Sequence, residues 1–150
     1  MTAFSTIDVE FGVFLWSDVA VGDTRRDLNR RERMAVILER DGPACVWCRR
    51  EIDIGLVEAT TEHLVPRIKG GPSIIENEVA ACRRCNGQRG HLTPAEWIDE
   101  CERRGWEPNR DVIVEALRRL ERAFTERGGM RRARPYVTTQ LRRLTKASRY

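Results

Sequence analysis

Two matched cysteine pairs, Cys45-x-x-Cys48 and Cys82-x-x-Cys85, constrain this chain more than any other feature. At that spacing a single tight turn presents two sulfur atoms to a common centre. Two such turns supply the four thiolates of a tetrahedral site, so the pairs are expected to clamp a structural zinc ion. The 33 residues between Cys48 and Cys82 far exceed the loop of a simple finger. Something substantial must fold inside the clamp.

Two disulfides are the alternative use of four cysteines, and they belong to oxidising compartments. The first 24 residues hold no Lys or Arg, so no positively charged leader precedes the apolar run Phe11 to Trp16. That run is far short of the ~20 residues needed to cross a bilayer. The expectation is therefore a cytoplasmic protein with reduced thiols and no membrane partner. Cys101 has no companion at ligand spacing and reads as a half-buried helix residue.

Charge is abundant and unevenly spread. The chain of 150 residues has 27 basic and 23 acidic side chains, a net charge of +4, and Lys69 and Lys146 are its only lysines. Residues 1–24 carry Asp8, Glu10, Asp18 and Asp23 without a basic side chain. Residues 129–150 carry Arg131, Arg132, Arg134, Arg142, Arg143, Lys146 and Arg149 without an acidic one. A basic end interspersed with Tyr136 and Tyr150 suits either contact with a phosphate backbone or plain solvation as a tail.

Periodicity divides the chain into an N-terminal extension (1–43), a cysteine-clamped core (44–91) and a C-terminal helical part with a basic tail (92–150), forming one domain overall. Ile7, Val9, Phe11, Val13 and Leu15 alternate as in a strand. A helix is predicted from Thr24 to about Arg40, with Leu28, Ala35 and Leu38 on one side and Asp41-Gly42-Pro43 as its stop. Inside the clamp the expected order is a strand over Val57 to Glu62, a turn at Lys69-Gly70-Gly71-Pro72, a strand at Val79-Ala80-Ala81, and a short helix from Arg83 to Arg89 stopped by Gly90. Thr93-Pro94-Ala95-Glu96 combines a capping hydroxyl, a proline at the first helical position and a glutamate at the third, so a helix starts there and stops at Gly105. A second begins near Asn109, bears the stripe Ile113, Leu117, Leu120 and Phe124, and ends at Gly128-Gly129. These two helices are expected to form an antiparallel hairpin on the core.

The chemistry is concentrated inside the clamp. Of two histidines, His63 follows a carboxylate, Glu62, at a predicted strand end. Imidazole titrates near pH ~6.5, so His63 can act as a base at neutral pH. Successive strand residues face opposite sides, so Glu62 points away from His63. An oxygen from Glu62 and the amide oxygen of Asn86 would suit a hard cation such as Mg²⁺. Asn86 adjoins Cys85, so a metal-filled clamp would hold it rigidly.

Glu62-His63-Leu64-Val65-Pro66, then Gly70-Gly71, Asn77, and Cys82-x-x-Cys85-Asn86-x-x-Arg89-Gly90 resemble the HNH endonucleases of the four-cysteine zinc type. The resemblance runs from Cys45 to about His91. It implies a small ββα-metal core clamped by zinc; with the periodicity above, the expected class is an α+β chain in which that core is flanked by an N-terminal helix and a C-terminal helical hairpin. It also implies that His63 is the general base that activates water and that Asn77 braces the loop orienting it. By the same resemblance Glu62 and Asn86 bind a catalytic Mg²⁺ or Mn²⁺, and Cys45, Cys48, Cys82 and Cys85 hold structural zinc. Arg89 falls at the family's basic position and is expected to contact nucleic-acid phosphate; Arg67 and Lys69 are left open. The usual aspartate of the first doublet position is replaced by Glu62, one methylene longer. His91 is either a loop residue or a further metal ligand.

The expected function is metal-dependent hydrolysis of phosphodiesters, in double-stranded DNA. The competing class is a non-catalytic zinc module that binds nucleic acid through its arginines, for which the combination of Glu62, His63 and Asn86 has no use.

Overall fold

The structure is a computed structural model that describes residues 28–52 and 58–147. The expected N-terminal strand and the Thr24 cap lie outside the described residues. Helix α1 (Arg30–Asp41) instead starts at Asn29, whose side chain accepts from the Arg31 and Glu32 amides while Glu32 bonds back to the Asn29 amide. That reciprocal box supplies the N-terminus with two of its missing acceptors. Gly42 ends the helix, as predicted, with φ of 96°. Ala35, placed on the inner stripe from sequence, is exposed; Ile37 is the fully buried residue of this helix, and Leu28, Met34 and Leu38 pack partly against the core.

Next comes the first cysteine turn. Ala44 bridges Glu51, the Cys45 amide donates to Arg50 O at 2.9 Å, and Arg49 takes a left-handed φ of 56° to close the loop. Strands β1 (Ala59–His63) and β2 (Glu78–Cys82) form an antiparallel two-stranded sheet in the register Glu62 opposite Val79 and His63 opposite Glu78. Between them run two 3₁₀ turns, Arg67–Lys69 and Ile75–Asn77. Helix α2 (Arg83–Arg89) follows β2 without a break and stops at Gly90. This strand, loop, strand and short helix are the order predicted for the insert.

Helix α3 (Pro94–Arg103) carries the complete capping box of Thr93 and Glu96. Helix α4 (Arg110–Arg127), capped by Asn109, buries Ile113, Ala116, Leu117, Leu120, Ala123 and Phe124 along one 3.6-residue stripe. The basic tail expected after Gly129 is instead a further helix, α5 (Ala133–Ala147), with Ala133, Val137, Gln140 and Leu144 turned inward. The hairpin of the C-terminal part is therefore α4 with α5, while α3 packs against α5. Cys101 is fully buried on α3 rather than half-buried, and burial pushes its thiol up to about 12. No helix among the described residues is long and apolar enough to cross a membrane. The fold is a mixed assembly of helices around one two-stranded sheet, with four cysteines brought together at one end of it.

Candidate active site

The four cysteine sulfurs lie within 4.8 Å of one another. Cys48 Sγ and Cys82 Sγ are 3.9 Å apart, close to the ~3.8 Å edge of a tetrahedron built on ~2.3 Å metal–sulfur bonds. The donor set thus fits a metal ion in number, type and spacing. A hydrogen bond from Cys85 pulls the Cys45 thiol down to about 5, and the same contact pushes Cys85 up. The first turn is tied to the sheet by Val46 N–H donating to Ala80 O at 3.1 Å, and to α4 by Asn109 N–H donating to Val46 O at 2.7 Å. Both ends of the clamp are thereby fixed to the strands that carry the candidate site.

Strand alternation sorts that site onto two faces. Thr60 and Glu62 face α2: Asn86 Nδ2 donates to Thr60 Oγ1 at 2.9 Å, and Arg89 Nη1 donates to Glu62 Oε1 at 2.6 Å. Trp47, fully buried in the cysteine turn, donates its indole N–H to Glu62 Oε2. Glu62 is 4% exposed; burial pushes its carboxyl up, against the pull of Arg89. His63 faces the other way with Glu78, its partner across the strands. Its Nε2 lies 3.7 Å from Glu78 Oε1 and has no hydrogen-bond partner. Burial lowers the His63 pKa against the opposing pull of Glu78, with Arg67, Arg33 and Arg89 adding to the lowering. The shift favours the neutral imidazole, the form a base requires.

Asn77 holds the loop that follows His63. Its Oδ1 accepts from Val65 N–H at 2.9 Å, and its Nδ2 donates to Val65 O at 3.0 Å and to Pro72 O at 2.9 Å. Its own carbonyl accepts from Leu64 N–H at 2.9 Å. Gly71 lets the loop close: a Cβ there would lie 1.8 Å from Val65 O. The asparagine is completely buried, as a group spending its whole amide on backbone must be.

Arg89 departs from expectation. It is 2% exposed, and besides Glu62 it donates to His63 O and Leu64 O, both at 2.9 Å, with its guanidinium over the Trp47 ring. A side chain so enclosed has no surface to offer a phosphate; it stitches the end of α2 to the end of β1. Exposed cations do exist nearby. Arg67 and Lys69 flank Ile68, itself 70% exposed, and neither forms an ion pair among the described residues. His91 is exposed in the turn after α2. Sequence reasoning missed Glu78 and Arg33. The signal available was a carboxylate opening the otherwise apolar run Val79-Ala80-Ala81.

A family model described as HNH endonuclease matches residues 45–102. No curated protein matches. Among solved structures, the crystal structure of the Type II-C Cas9 enzyme from Actinomyces naeslundii is similar at 25% identity and a TM-score of 0.45, over 79% of this chain. The chain spans 12% of that enzyme's length. Residues 45–102, which hold the cysteine cluster, strands β1 and β2 and helix α2, are the part of the chain that matches the HNH endonuclease family model.

Proposed function

We propose that the protein is an endonuclease that hydrolyses phosphodiester bonds in DNA, with His63 as the general base. The observation that carries this reading is the loop geometry: the His63 imidazole stands at the end of β1, and the chain just beyond it is locked by Asn77. A base must be held in one place to be effective, and a buried asparagine bonded to three backbone groups does this. In this reading His63 takes a proton from water and the resulting hydroxide attacks phosphorus.

Cys45, Cys48, Cys82 and Cys85 would hold zinc in a structural role, since four thiolates leave no open position for substrate. A second, catalytic cation, Mg²⁺ or Mn²⁺, would be held by Glu62 and Asn86. Carboxylate and amide oxygens suit such an ion, and each Glu62 oxygen keeps a second lone pair beside its bond to Arg89 or Trp47. When bound it would supply positive charge against the charge growing on the leaving oxygen. Arg67 and Lys69 replace Arg89 as the phosphate contacts in this reading, because they are exposed and unpaired among the described residues.

Supercoiled plasmid incubated with the protein and Mg²⁺ or Mn²⁺ tests the proposal. Nicked or linear product that disappears with chelator and with His63→Ala supports it. Intact plasmid under all metal conditions, with DNA still retarded on a gel, would favour the non-catalytic zinc module instead.

A further inference from the structure

We infer that Glu78 is a positioning residue for His63, and that Arg33 of α1 holds it there; the inference rests on His63 being the base. Glu78 opens β2 directly across from His63, so the two side chains share a face. It is 4% exposed, beside Val79, Ala80 and Ala81, which are completely buried. A carboxylate in that setting is costly unless paired. Arg33 pairs it with a two-pronged grip: Nε donates to Oε2 at 2.9 Å and Nη2 to Oε1 at 2.6 Å. Such a fork fixes the plane of the carboxylate as well as its position. Arg40, two turns further along the same face of α1, donates to the backbone carbonyls of Glu78 at 2.7 Å and Ile75 at 3.1 Å, so the helix is anchored at two levels.

Stability alone does not account for this pair. A buried ion pair generally stabilises a fold no better than apolar side chains of the same volume. What distinguishes the placement is the third member. Glu78 Oε1, the oxygen that Arg33 grips at the shorter distance, is also the one 3.7 Å from the unpartnered His63 Nε2. That distance is too long for a hydrogen bond, yet a sub-ångström movement of the ring makes one. A carboxylate facing Nε2 favours the tautomer with its proton there and leaves Nδ1 to receive a proton from water. As that proton arrives the ring becomes cationic; the facing carboxylate offsets the charge and stays ionised. A base oriented by a third group is a recurrent arrangement in hydrolytic sites. Here the orienting partner's support, Arg33, lies outside the matched segment 45–102.

The test uses the full chain with its metals, in steady-state cleavage of a plasmid or oligonucleotide. Glu78→Gln removes the charge, and the double variant Arg33→Met with Glu78→Leu replaces the pair by apolar groups in case the single variant folds poorly. Both are expected to lower kcat at least about tenfold with KM within about twofold. In the His63→Ala background neither should lower the residual rate further. A wild-type kcat, or an equal further loss without His63, overturns the inference. A second readout needs no activity: the chain has two histidines, so the ¹⁵N signals of the His63 ring are readily assigned. They should move away from the Nε2–H pattern in the double variant, and unchanged signals would also overturn it. Full activity of His63→Ala would instead sink the general-base reading, leaving the ring signals to decide Glu78.

Discussion

Arg89 and Glu62 form an ion pair enclosed by protein, 2% and 4% exposed, with Nη1 donating to Oε1 at 2.6 Å. One partner ends α2 and the other lies next to His63, so the pair joins the helix behind the cysteines to the strand carrying His63. Removing one member strands the other charge. Arg89→Met should destabilise the protein by ~3–5 kcal/mol, and Arg89→Met with Glu62→Leu should cost much less. Urea unfolding of the three proteins checks this; a single variant as stable as the double one contradicts it.

Asn77→Ala should cost about 3 kcal/mol, because Val65 N–H, Val65 O and Pro72 O lose their partner in a closed space. Cleavage should fall with it, even at temperatures where the variant is fully folded, since the loop beyond His63 is released. Asn77→Asp keeps the acceptor and loses both donors, so it should lie nearer to alanine than to wild type. Equal rates for all three folded proteins would show that the loop needs no such brace.

Two glycines should respond to alanine with opposite signs. At Gly71 the new Cβ meets Val65 O at 1.8 Å, a backbone atom that cannot swing aside. A loss of ~3 kcal/mol or more is expected. At Gly87, exposed within α2, nothing lies within 4 Å of a new Cβ. There alanine should add ~0.5–1 kcal/mol through helix propensity. Thermal melts of both variants read the contrast directly.

Stripping metal from the cysteine cluster should unfold the β1–β2 sheet and α2, because structural zinc commonly contributes ~10–16 kcal/mol of apparent binding energy. Far-ultraviolet circular dichroism before and after chelation, with metal content measured in parallel, gives the answer. A metal-free chain with the native spectrum would assign the four thiols to packing alone.

Arg67→Glu and Lys69→Glu should weaken DNA binding across all sequences alike. Each replacement should also flatten the dependence of log K on log salt by about one contact. Arg89→Lys, by contrast, should leave that slope unchanged.

Much of this was legible in the residues, and the parts that were not share a cause. The insert from β1 to α2 could be read because its signals are local: a turn at Gly70-Gly71, a short apolar run, a glycine stop at Gly90. Thr93 with Glu96 announced α3 for the same reason. The role of Arg89 was misread because nothing in a one-dimensional pattern separates an arginine in solvent from one beneath a tryptophan. Helix α5 was hidden by its arginines; Ala133, Val137 and Leu144 repeat at helical spacing, but uncompensated charge drew the reading towards a tail. Glu78 was overlooked because its meaning arises from the cross-strand register and from a helix some 45 residues earlier.

Gln140 of α5 is 3% exposed, and its Oε1 accepts from the Ala95 amide at 3.0 Å. That amide belongs to the first turn of α3, where helical amides have no partner of their own. The last helix therefore acts as an external cap for α3, the helix at the end of the matched segment. Cutting the chain before residue 133 would do more than discard basic surface: it would orphan a buried donor at the root of α3. The C-terminal arginines are carried on a scaffold strut, and a fragment trimmed to the family match alone would lack its keystone.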